Sequence, residues 1–162
     1  PSHRRGDTDT GATDAPDGSA GGIDEVVRGL GDVDVAAVYA GSYACGALAM
    51  TQADDAARSE AAGLVERAGE VHAYDAYGVG LEAGRGRVAM AFESEEYARA
   101  DADSRADLAV GAAPGQGVGY PDLFETGEVR AEDRLLTIDV VPTEDAFVLS
   151  ELASGPVLLA TC

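Results

Sequence analysis

Thirty carboxylates stand against eleven cationic side chains in this chain of 162 residues, a formal charge of −19 at neutral pH. That imbalance limits what the chain can fold into more than any other feature. Charge of one sign at this density pushes a compact state apart. Molar salt shortens the Debye length to about 3 Å and removes most of the repulsion. All eleven cations are arginine, and neither Lys nor Asn occurs. The pattern predicts a protein adapted to brine, with its carboxylates held outward in water. An acidic chain of low hydrophobicity would instead be disordered. Periodic apolar segments and helix-stopping glycines across residues 30–162 argue for a fold.

The same charge excludes several partner classes. A surface this negative repels phosphate backbones, and no run of arginines along the chain offsets it, so nucleic acid is not expected. Anionic membrane surfaces are disfavoured for the same reason. No apolar run approaches the roughly 18 residues that a spanning helix needs. The sequence shows no signal peptide. It begins at Pro1, however, which is compatible with an anchor upstream. The expected placement leans to the extracytoplasmic or membrane-tethered side, with the cytoplasm of a salt-accumulating cell as the alternative.

Residues 1–22 contain no large aliphatic side chain and are rich in Gly, Ser, Thr, Asp and Pro. They read as a disordered polar linker, either a tether or a plain terminus. Residues 23–162 are expected to form a single α+β domain. Hydrophobic residues make up 46% of the chain, but it lacks Trp and has only three Phe. The core is therefore expected to use small side chains.

Ile23 to Leu30 predicts a short helix, ended by Gly31. Val33 to Val38 and Tyr43 to Met50 read as strands on either side of a Gly41-Ser42 break. Thr51 to Ala68 has an apolar face, a capping Thr51 and a terminal Gly69, and predicts a long helix. Val71 to Leu81 alternates, with Tyr77, Val79 and Leu81 on one side and His72, Tyr74, Gly78 and Gly80 on the other. With Arg87 to Phe92 it predicts a hairpin. Ser94 to Val110 predicts a second helix, capped by Ser94, with Ala98, Ala102, Leu108 and Ala109 inward. Val129 to Val141 reads as one strand with Leu136, Ile138 and Val140 facing in. A short helix from Thr143 to Leu152 and a strand from Val157 to Thr161 complete the chain. From Tyr43 the order is β-α-β-β-α-β, that of a ferredoxin-like sandwich with an added C-terminal helix and strand.

Two stretches, RADLAVGAAPGQGVGYPDLF (105–124) and VLSELASGPVLLATC (148–162), resemble an uncharacterised haloarchaeal protein family. The resemblance implies a salt-rich origin and carries no activity or site residue with it.

Residue types that carry chemistry are sparse. His3 and His72 have no Cys, His or Glu at ligand spacing, so no transition-metal site is expected, and no cofactor motif is present. His72 reads as an ordinary strand residue. Cys45 and Cys162 form no CxxC motif. In an oxidising compartment they are a candidate disulfide closing a very long loop, worth roughly 4–5 kcal/mol by chain entropy; otherwise they are two buried thiols. The carboxylates, Asp101 and Asp103 among them, read as solvated faces, and no calcium-loop pattern occurs. The segment Gly111 to Tyr120 is glycine-rich without a P-loop ending. Tyr120, Leu123 and Phe124 after it are expected to plug the core or to line a small pocket.

Two functions of different kinds follow. One is a non-enzymatic binding or assembly module. It would contact a protein or small-molecule partner, or a second copy, through the exposed sheet face or an edge strand. The other is a ligand-sensing domain or small enzyme with a pocket beside residues 111–124, built from Tyr74, Tyr77, Arg105 and Tyr120. Whichever holds, the charge makes a prediction. Far-UV circular dichroism and hydrodynamic radius should show more secondary structure and a smaller particle in about 1–3 M KCl than in dilute buffer. Equal folding in nearly ion-free water would remove the salt-adapted reading.

Overall fold

The computed structural model describes residues 18–41, 71–111 and 119–143, together with helical positions 55, 56, 59, 62, 63 and 66. The elements are α1 (Gly18–Leu30), β1 (Val35–Ala40), β2 (Ala76–Glu82), β3 (Arg85–Ala91), α2 (Glu95–Leu108), the single turn α3 (Tyr120–Leu123), β4 (Phe124–Glu132) and β5 (Leu135–Pro142). The five strands form one antiparallel sheet in the order β1-β2-β3-β5-β4. The chain is α+β, as its pattern predicts.

Local chemistry sets the elements. Gly31, at φ +68°, ends α1 where a residue with a Cβ would be strained. Its start at Gly18 lies inside the stretch expected to be linker. The Ser94 side chain accepts a hydrogen bond from the Tyr97 amide at 3.2 Å and caps α2, whose first turn carries Glu95 and Glu96. Ala83 and Gly84 both have positive φ, which matches the two-residue turn that a right-twisted β2–β3 hairpin requires.

Three expectations need correction. The run 129–141 is not one strand. Asp133, at φ 51°, reverses the chain, and β4 and β5 pair as a hairpin. The polar Glu132-Asp133-Arg134 triplet that makes the turn interrupts what looks like a continuous alternation. The alternation begun at Val71 also fails before Ala76, because residues 71–75 are not strand. Tyr74 consequently joins the same core as Tyr77 instead of facing away from it. Lastly, a ferredoxin-like sheet would place the strand before the 51–68 helix next to β3, between it and the last strand. Here β3 pairs directly with β5. Residues 43–50, 144–152 and 157–161, expected to supply further elements, lie outside the described residues.

The two faces of the sheet are packed differently. On one, Tyr77, Val79, Val88, Met90, Leu136, Ile138 and Val140 meet Ala98 and Leu108 of α2 and Ala109 just after it, with Tyr120 and Phe124 in the same cluster. On the other, Val26 and Leu30 of α1 rest on Ala76, Ala89 and Ala91. The small residues there let the helix approach closely. A Cβ added at Gly78 of β2 would stand 2.4 Å from Cγ1 of Val26, a fully buried side chain. Gly78→Ala should therefore lower stability by about 1–3 kcal/mol, read from chemical denaturation in molar KCl. Gly21→Ala, within the same helix but with nothing inside 4 Å of the new methyl, should raise it by up to about 1 kcal/mol. Equal effects would mean that α1 does not pack on Gly78.

Candidate functional site

The densest polar constellation among the described residues joins α2 to the segment leading into β2. Asp101 and Arg105, one helical turn apart, are both fully buried, and Arg105 Nε donates to Asp101 Oδ1 at 2.9 Å. The His72 amide donates to the same carboxylate, at 3.0 Å to Oδ2 and 3.2 Å to Oδ1. His72 Nδ1 lies 2.7 Å from Oδ2. Arg105 Nη2 returns a bond to the His72 carbonyl at 3.0 Å. The imidazole stacks on Tyr97 with centroids 4.0 Å apart. The guanidinium lies between aromatic faces, 5.5 Å from the Tyr74 centroid and 5.8 Å from that of Phe92.

The electrostatics follow from burial. Desolvation lowers the Arg105 pKa, and the Asp101 carboxylate opposes that shift. Desolvation pushes the Tyr74 hydroxyl up to about 12, against the pull of Arg105. An aspartate bonded to a histidine ring nitrogen occurs in general-base catalysis. Here the carboxylate also holds the His72 main chain and a buried guanidinium. The arrangement acts as a joint between helix and segment.

The four residues expected to form a pocket are brought together, in the core. Tyr74, Tyr77 and Arg105 are 3% exposed or less and Tyr120 is 6% exposed. The Tyr74 and Tyr77 rings lie 5.8 Å apart, and Tyr120 packs on Phe124 at 5.6 Å. The Tyr120 amide donates to the Gly111 carbonyl at 2.9 Å, which draws together the ends of the glycine-rich segment. Tyr120 and Phe124 thus fill the core as a plug does. Residues 112–118, Cys45 and Cys162 lie outside the described residues.

Asp101 corrects the expectation of a solvated carboxylate. The sequence does hold a signal for it. Ala98, Asp101, Arg105 and Leu108 recur at three- and four-residue steps along one helix face, and an acid followed four residues later by an arginine is a favourable pair. The apolar neighbours Ala102 and Ala109 drew the predicted stripe to one side.

Open concavity lies on the α1 face of the sheet. One groove of about 550 Å³ is lined by Leu30, Val33, Arg85, Arg87, Glu128 and Asp139 among others. A second, of about 460 Å³, lies between the last turn of α1 and the β4–β5 hairpin. None of the four core residues lines either groove. No described helix is long and apolar enough to cross a membrane. The chain matches no known protein family, curated protein or solved structure.

The joint makes a sharp prediction. Asp101→Ala leaves Arg105 buried without its carboxylate and should cost about 3–5 kcal/mol of stability. Asp101→Leu combined with Arg105→Met removes both charges and should recover most of that loss. Denaturation curves in molar KCl measure both. A loss below about 1 kcal/mol for the single variant would deny the pair this role.

Proposed function

We propose that this chain is a non-enzymatic, salt-adapted assembly module that pairs with a second copy of itself through β1. The supporting observation is the contrast between the two strands that stand outermost in the sheet among the described residues. β4, at one end, carries Glu125, Glu128, Arg130 and Glu132 and a register shift between Thr126 and Val129. Charges and irregularities of this kind discourage strand addition. β1, at the other end, reads VAAVYA, with no charge in six residues and no register shift against β2. Val35 is 46% exposed. In a chain that is one-quarter charged, two copies would repel little along such a strand.

Hydrogen-bond alternation fixes which groups point outward. The Gly41 amide donates to the Asp75 carbonyl at 2.7 Å. Alternation along an antiparallel pair then turns the amides of Tyr39, Ala37 and Val35 toward β2, and those of Ala36, Val38 and Ala40 toward the side on which no described strand lies. A two-fold axis at Val38 would set Ala36 against Ala40 of the second copy and Ala37 against Tyr39, and would form about six backbone bonds. Such an interface is self-complementary. It is also short, which puts the dimer at the weak, transient end of the range. Salt favours it by screening the repulsion between copies.

Sedimentation equilibrium at about 100 µM protein in molar KCl should show a monomer–dimer equilibrium that strengthens with salt. Ala36→Pro removes an outward donor while leaving the neighbouring bonds to β2, and Ala36→Glu places a charge on the exposed edge. Both should abolish the dimer without changing circular dichroism. A wild-type chain that stays monomeric in molar KCl, or a dimer untouched by either variant, would overturn the reading.

A further inference from the structure

Several elements meet at one end of the sheet, and their charges do not balance. Glu25 comes from α1, Asp75 from just before β2, Glu93 from just after β3, and Arg134 from just before β5. Short backbone bonds draw these positions together. The Asp75 amide donates to the Ala91 carbonyl at 2.7 Å, and the Phe92 amide donates to the Arg134 carbonyl at 2.8 Å. α1 lies close against them: a Cβ added at Gly22 would stand 3.0 Å from that of Asp75. Arg134 Nη2 donates to Glu25 Oε1 at 2.6 Å, whereas its Nη1 is 4.0 Å from Asp75 Oδ2. The guanidinium thus has one close carboxylate and one distant one. Glu25 Oε2 is buried and has no hydrogen-bond partner among the described residues.

We propose that this junction is a proton-sensitive latch for α1, in which uptake of a proton at Asp75 seats the helix more firmly on the sheet. One guanidinium among three carboxylates leaves a local excess of negative charge. Burial, the largest influence, raises the Asp75 pKa; Arg134 lowers it, and Glu93 and Glu25 raise it further. The charges on the groove side of Arg134 are Arg28, Glu132 and Asp133. Arg134 is committed to Glu25, and that hydrogen bond is the main cause of its own raised pKa. It therefore cannot serve Asp75 equally well. A carboxyl whose pKa is raised by folding costs stability while it is ionised, and the cost is lifted as pH falls through the folded value. An aspartate held by a close ion pair would behave in the opposite sense. The Asp75 side chain is 36% exposed, so solvent screens the effect to a few-fold change. The latch works within one copy and does not rest on strand pairing at β1.

Native-state hydrogen exchange of the full chain in molar KCl, followed by NMR, tests this. Protection factors are corrected for the intrinsic pH dependence of exchange. Asp75→Asn should raise protection of the Val26 and Leu30 amides about 2- to 5-fold at pH 7. The gain should shrink as pH falls to about 5, because the wild-type carboxyl is then increasingly protonated. In Glu25→Gln the guanidinium is released to Asp75, and adding Asp75→Asn should then give no gain. Unchanged or lower protection in Asp75→Asn at pH 7, a gain equal at both pH values, or the same gain in the Glu25→Gln background would overturn the proposal.

Discussion

An arginine with no exposed surface is expensive, and the way this chain accommodates Arg105 organises the half of the molecule around it. Its charge is met by Asp101 one turn earlier on α2, and a second guanidinium nitrogen reaches the His72 carbonyl. Asp101 in turn accepts the His72 amide. Each group satisfies the others, so the desolvation of two charges is offset by charge-assisted hydrogen bonds. Replacing the pair with apolar groups would leave the segment 71–75 without these directional links to α2. The pair sets where the chain enters β2, and therefore where Tyr74 and Tyr77 enter the core.

The opposite face solves a different problem. A composition low in large aromatics cannot fill two thick layers, and the aromatic residues are concentrated on the α2 side. Under α1 the contact surface is alanine and glycine. A helix seated on such a surface approaches closely and gains dispersion contacts from backbone and methyl groups, not from bulk. Leu135 sits 2.6 Å from where a Cβ at Gly29 of α1 would stand, so the glycines on the helix and on the sheet serve one close approach. Among the described residues the helix packs on β1, β2 and β3 and reaches the start of β5 at Leu135.

Much of this was legible in the sequence, and the failures have physical causes. Ser94, Gly31 and the alternation of Leu136, Ile138 and Val140 act locally, and each sits as its chemistry predicts. Asp101 and Tyr74 were misplaced because their surroundings are made by residues far away in sequence. A carboxylate looks solvated until His72, 29 positions earlier, is folded onto it. The β4–β5 turn was missed because an aspartate adopts left-handed geometry there without a glycine to announce it. Grouping of the arginines was invisible for the same reason as the joint. Residues 28, 87, 130 and 134 belong to separate elements, and only the sheet brings them together.

The charge pattern and the sheet geometry lead to one conclusion about association. A chain of −19 keeps itself dispersed unless a surface exists where approach costs little. The architecture supplies such a surface in the uncharged strand β1. At β1 the charge is absent, so screening by salt is enough to let backbone groups meet. Salt favours strand pairing there by screening the repulsion between like-charged copies.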